Sequence, residues 1–138
     1  MNATIIALLG YITWTLLLLI ALAAYRTVLV SQKQRLPNQF KADGSDSPDF
    51  GQRLTRAHLN CAESFVIIGG IMLLALATNA SIITDSLAYF LLAARICQSV
   101  VHLISTSVFA VQIRFFFFLI QVGICGIWLF KLFTKFIY

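Results

Sequence analysis

The sequence predicts an all-α integral membrane protein, a four-helix up-down bundle, and three observations predict it. Hydrophobic residues make up 60% of the 138-residue chain and charged residues only 11%, more apolar surface than a soluble domain can hide. The apolar residues gather into four stretches, about 4–25, 60–78, 82–108 and 113–136; a bilayer core of about 30 Å needs roughly 20 helical residues to cross it. The connections after the second and third stretches are short, which forces antiparallel neighbours. Together the stretches use nearly the whole chain, so residues 1–138 read as a single transmembrane domain with no room for a soluble one.

The first stretch ends in Ala21-Leu22-Ala23, a small-residue pattern found at signal-peptide cleavage sites. It lacks a basic leader and its apolar core is too long for such a peptide, so it is read as a retained span. The connection that follows, about 31–56, carries Pro37, Gly44, Pro48, Gly51 and three aspartates (Asp43, Asp46, Asp49). Pro and Gly at that density predict an ordered surface loop. Lys33, Arg35, Lys41, Arg53 and Arg56 lie in it, and Arg26 just before it. Basic loops stay cytoplasmic, so this loop is placed in the cytoplasm and the N-terminus on the other face. Arg114, in the third connection, then also faces the cytoplasm; Lys131 and Lys135 fall on the opposite side and run against the assignment. The net charge of +5 therefore belongs to membrane topology and does not point to nucleic acid.

In the second stretch, Gly69-Gly70 is read as a close helix contact. The Phe115–Phe118 run of the fourth is read as a lipid-facing or interfacial aromatic patch. Cys61, Cys97 and Cys125 all fall within spans without metal-ligand spacing, and are read as small packing residues. The sequons at Asn2 and Asn79 would lie on the non-cytoplasmic face.

Charged residues inside these stretches carry the functional signal. A charge near the bilayer centre costs at least about 2.5–3.5 kcal/mol, so such residues are rare and usually functional. Arg95 and Glu63 both occupy apolar surroundings. With about 100° of rotation per residue, Arg53, Arg56, Asn60 and Glu63 fall within a sector of about 80°, provided the second helix extends back into the loop edge. On the third span Arg95, Gln98, Ser99, His102 and Thr106 form one narrow stripe; on the fourth, Arg114, Gln121 and Cys125 share a face. Three converging polar stripes predict a shared cavity on the cytoplasmic half of the bundle. It holds at least Arg56, Arg95 and Arg114 against one carboxylate, Glu63, which is expected to pair with Arg95 because a lone buried charge is costly. The surplus positive charge suits a small anionic ligand, since arginine binds carboxylates through paired hydrogen bonds. A cation beside a thiol also favours the nucleophilic thiolate. Blander readings stand beside these. Gln98, Ser99 and Thr106 also serve as interhelical glue, Arg95 with Glu63 as a purely structural ion pair, and Arg26 and Arg53 as snorkelling interfacial residues. His58 lies about 200° around the helix from Arg56 and faces elsewhere.

The segment Arg53-Leu-Thr-Arg56-Ala-His58-Leu-Asn60-Cys-Ala-Glu63 closely resembles the signature of the MAPEG family, the membrane-associated proteins of eicosanoid and glutathione metabolism. The resemblance covers the whole chain: four spans, a long first loop, Arg95-Ile-Cys-Gln98-Ser-Val-Val-His102, and Arg114 at the opening of the fourth span. It implies a homotrimer holding glutathione between subunits near the cytoplasmic face. Arg56, Asn60 and Glu63 would contact glutathione, as would Arg53 and Gln98 in the same stripes. Arg26 would reach it from the first span, Arg95 would line the pocket or pair with Glu63, and Arg114 would stabilise the thiolate. His102 stands where several members carry tyrosine, Gln98 where they carry histidine, and Phe118 where some carry tyrosine. These departures shift thiol activation toward Arg114, with His102 in support, and resemble a bacterial or divergent branch; the location would then be the cell inner membrane.

The reading is a multi-pass membrane glutathione S-transferase, possessing or lacking glutathione peroxidase activity. Glutathione is the co-substrate, with no metal, and its thiolate attacks an apolar lipid-soluble electrophile or lipid hydroperoxide arriving through the membrane lipids. Two rivals are a non-enzymatic lipid-binding scaffold of the same family and a small four-span transporter. A lipid cradle has no need of buried cations, and a cation carrier needs an acidic cavity.

Overall fold

Asn2 starts the first helix by accepting a hydrogen bond from the Ile5 amide at 3.1 Å, which satisfies one of the free donors at a helix N-terminus. From there a computed structural model describes residues 2–45 and 48–138. Asp46 and Ser47, within the expected loop, lie outside the described residues. The order is α1 (Ala3–Ser31), α2 (Asp49–Ala77), α3 (Ile82–Ile104) and α4 (Val108–Ile137). Each is long and apolar enough to cross a membrane.

The helices overrun the apolar stretches because a helix need not stop where the lipid does. Gln32 caps α1 through its amide bond to the Val28 carbonyl, and Lys33 turns the chain with a φ of 57°. Pro48 immediately precedes α2, and Asp49 sits in its first turn, where a carboxylate complements the helix dipole. Because α2 begins at Asp49, the whole Arg53–Glu63 segment is helical. Gly44, at φ 72°, holds the loop against α2; a Cβ there would lie 2.6 Å from the Thr55 hydroxyl. The turn from α2 to α3 closes through the Ala80 amide on the Ala75 carbonyl at 2.7 Å, around Asn79 at φ 54°.

Helix α3 stops at Ile104, where Ser105 adopts extended backbone. Thr106, expected on the polar stripe, is therefore off the helix and exposed. Ser107 starts α4, accepting from the Ala110 amide at 3.2 Å.

Helices α1, α2 and α3 pack on one another; α4 packs mainly on α3, touches α2 and does not meet α1. The core is Tyr11, Ala57, Cys61, Met72, Ala88, Leu91 and Trp128. Leu16, Leu17, Val66, Phe90 and Phe130 face outward, as lipid contact requires. Gly10 lets α1 approach α3, since a Cβ would meet Leu92 at 2.7 Å. Of Gly69-Gly70, Gly69 is buried under the Phe65 ring of its own helix and Gly70 faces open space in the single chain. At the end of the bundle away from the loop, Asp85 of α3 accepts from both the amide (2.8 Å) and the hydroxyl (2.6 Å) of Thr4.

Candidate functional site

The core-facing direction of α2 is set by Leu54, Cys61 and Met72. Arg53 and Asn60 lie on the flank of α2 that meets α3, and Glu63 lies about half a turn from the core direction. Arg53 is half-buried and its Nε donates to the Leu103 carbonyl at 2.9 Å. It thus satisfies one of the free carbonyls at the C-terminus of α3, where a cation also complements the dipole. Arg56, one turn on, is exposed.

Arg95 is 1% exposed. Its Nη1 donates to the Asn60 Oδ1, and its guanidinium carbon lies 5.7 Å from the centre of the Tyr11 ring. The Tyr11 hydroxyl in turn donates to the Cys61 carbonyl at 2.7 Å, and the Cys61 sulfur lies 3.0 Å from the Ser99 hydroxyl. The expected pairing of Arg95 with Glu63 does not form. Asn60 occupies the side of α2 that faces α3, whereas Glu63, rotated by about 60° from it, is exposed on the single chain. Sequence reasoning missed Tyr11; the only signal was a phenol inside an otherwise apolar span.

Gln98, assigned to glutathione by resemblance, lies in the bundle interior, where its Oε1 accepts from Gln121 Nε2 at 2.9 Å. At the loop end, Arg114 Nη1 is 2.7 Å from His102 Nδ1. Guanidinium only donates, so Nδ1 accepts, and the imidazole is the neutral tautomer with its proton on Nε2. The charges acting on His102 are all cationic, from Arg114, Arg95 and Arg56, and Arg56 also acts on Arg114. The stripes of α3 and α4 therefore meet at the Arg114–His102 contact, and the Arg56 charge lies near enough to act on both residues.

One helical turn along α4 from Arg114, a cavity of about 300 Å³ opens between α2 and α4. Ile67, Ile68, Phe118, Val122 and Leu129 wall it, with Cys125 beside them and Arg95 and Gln121 deeper in. Phe118 belongs to the exposed aromatic run, where Phe115 and Phe118 stack at 6.1 Å. Cys61 and Cys125 are buried and Cys97 is exposed. Arg26 is elsewhere. Its guanidinium covers the Phe40 ring at 5.4 Å and its charge acts on His58, on the side of α2 away from Arg56. Among the described residues no group of His, Cys, Asp and Glu side chains is placed to hold a metal ion.

Four helices long and apolar enough to span a membrane, with arginines beside an apolar cavity, define an integral membrane protein. The MAPEG family model matches residues 4–134. The chain belongs to the MAPEG family, whose membrane proteins work in glutathione or eicosanoid metabolism. No curated protein and no solved structure matches it.

Proposed function

We propose that the chain is a membrane glutathione S-transferase acting on apolar, lipid-soluble electrophiles, lipid hydroperoxides among them. The observation that carries the reading is Arg114, held by His102 and with the Arg56 charge near it, one turn from an apolar cavity. Unbalanced cations beside a bilayer are costly unless an anion joins them, and glutathione brings two carboxylates and an ionisable thiol. Arg56 and exposed Glu63 bind the peptide's carboxylate and ammonium groups, with Asn60 alongside. Arg114, one turn along α4 from the cavity, holds the thiolate by charge pairing. His102 accepts from Arg114 and so fixes the direction of the guanidinium. The thiolate sulfur then bonds to the electrophilic carbon of a substrate in the α2/α4 cavity, and the electron pair leaves with the departing group. With a hydroperoxide it bonds instead to the terminal peroxide oxygen, the O–O bond breaks, and the alkoxide leaves and takes a proton. A second glutathione converts the resulting sulfenic acid to disulfide and water.

The site is open on one side in the single chain. Arg56 and Glu63 are exposed, and Arg26 lies across α2 from them. Head-to-tail packing of identical copies would bring one copy's Arg26 to the next copy's Arg56 and close the ring; a homotrimer is the assembly proposed.

Calorimetric titration of glutathione into the detergent-solubilised protein tests the reading. Binding is expected, and its absence would favour a lipid-binding scaffold. Arg114→Ala should keep glutathione binding and lose conjugation by about 100-fold, as when one preorganised electrostatic group is removed. Thiolate absorbance in the ultraviolet should fall with it; unchanged absorbance and turnover would remove Arg114 from the mechanism.

A further inference from the structure

Two buried polar atoms on side chains that line the α2/α4 cavity have no partner: Arg95 Nε and Gln121 Oε1. Both side chains line the cavity and both are nearly inaccessible, 1% and 2% exposed. An unsatisfied polar atom in an apolar setting is costly, and native structures rarely keep one without a reason. The orientation of each group is set by its other bonds. Gln121 Nε2 donates to Gln98 Oε1 and to the Phe117 carbonyl, both at 2.9 Å. Flipping the amide would set oxygen against two oxygens, so Oε1 remains the free acceptor. Arg95 is held on its Nη1 side by Asn60 and over its face by Tyr11, which leaves Nε–H as a free donor. One donor and one acceptor thus remain unpaired on two side chains of a cavity whose other lining is mostly apolar, Ile67, Ile68, Phe118, Val122 and Leu129, with Ser64 and Cys125 beside them.

We propose that Arg95 and Gln121 are specificity-determining residues that select apolar molecules bearing a neutral O–H group, an alcohol or a hydroperoxide, within the α2/α4 cavity. Such a group accepts from Arg95 Nε and donates to Gln121 Oε1, and so satisfies both atoms at once. A ketone or ether satisfies only the donor. A plain hydrocarbon leaves both atoms bare. The body of the molecule lies along α2 and α4, where a second apolar cavity of about 300 Å³ continues past Leu129 between Leu74 and Phe133. This inference rests on the proposed transferase reading and narrows its substrate class.

The test compares three esters of one chain length on the full-length protein in detergent: methyl 12-hydroxyoctadecanoate, its 12-oxo analogue and methyl octadecanoate. Affinity is read by displacement of a bound fluorescent acyl probe, without glutathione. The hydroxy ester should bind about tenfold or more tighter than the unsubstituted ester, the gain expected of a hydrogen bond made to an otherwise bare buried group. The oxo ester should fall between them. Gln121→Leu should bring the hydroxy ester down to the level of the oxo ester. Because that variant also breaks the bond to Gln98, Val122→Trp provides a second arm: position 122 is half exposed, and indole there should fill the cavity and weaken all three esters. Equal affinity of wild type for the hydroxy and unsubstituted esters, or no effect of Val122→Trp, would overturn the inference. A parallel glutathione titration keeps the two ideas apart. Glutathione binding without hydroxyl discrimination sinks only this inference, and discrimination without glutathione binding sinks the transferase reading.

Discussion

Arg95 keeps a full charge inside the bundle without a carboxylate. The amide oxygen of Asn60, the ring face of Tyr11 and the polarity of Ser99 and Cys61 take that place. A neutral acceptor suffices because a hydrogen bond to a charged group contributes about 1.5–3 kcal/mol, while a cation over an aromatic face adds up to about 2 kcal/mol when desolvated. It follows that Asn60→Leu and Arg95→Leu, each measured by thermal or denaturant unfolding in detergent, should be strongly non-additive. The double replacement should cost less than the sum by about 1.5–3 kcal/mol. The same cycle built on Glu63→Gln and Arg95→Leu should be additive within about 0.5 kcal/mol; strong coupling there would restore the ion pair that the geometry denies. The rotational pattern of the sequence placed Asn60 and Glu63 in one sector. It carried no information on which of the two would face α3, since that depends on how α2 is rolled against its neighbours.

At the scale of elements, the ends of the helices are where polar chemistry fixes the bundle. Asp85 joins the start of α3 to the start of α1 by accepting from the Thr4 amide and hydroxyl, and Thr4 also meets Thr84 at 2.6 Å. A carboxylate bonded to a free amide at a helix N-terminus also meets the positive end of the dipole. Asp85→Ala should therefore destabilise by about 1–2 kcal/mol, and hydrogen exchange should quicken at the first turn of α1 while α4, which does not touch α1, stays protected. Uniform exchange changes across all four helices would show that Asp85 does not act as a local clasp. The four helices were legible in the sequence because lipid demands long apolar runs, and the polar stripes because a helix repeats its faces regularly. Thr106 was misplaced because nothing in an apolar run marks where α3 stops; the stop comes from Ser105 turning extended and Ser107 capping α4. The α2/α4 cavity was not legible either. It arises from α4 packing on α3 and only lightly on α2, a matter of helix placement that side-chain periodicity does not contain.

For the whole molecule, the separation of Arg26 from Arg114 bears on the proposed trimer. Arg26 belongs to α1 and Arg114 to α4, and α1 and α4 do not meet within one chain. If both serve one glutathione, they must come from different copies, and a contact joining unlike surfaces closes into a ring. Mixing variants tests this directly. Arg26→Ala and Arg114→Ala homotrimers should each show weak conjugation at sub-saturating glutathione. Co-expressed and co-purified under two affinity tags, a mixed trimer of either composition holds one junction at which an intact Arg114 meets a neighbour's intact Arg26. Mixed trimers should therefore recover activity well above either parent, with about one working site each. Simple addition of the two parents' activities would place both residues in sites within a single chain, and a doubly tagged species of two copies by native mass, or none at all, would discard the trimer. Recovery in mixed trimers has no explanation within an isolated chain, because no single variant subunit carries both arginines.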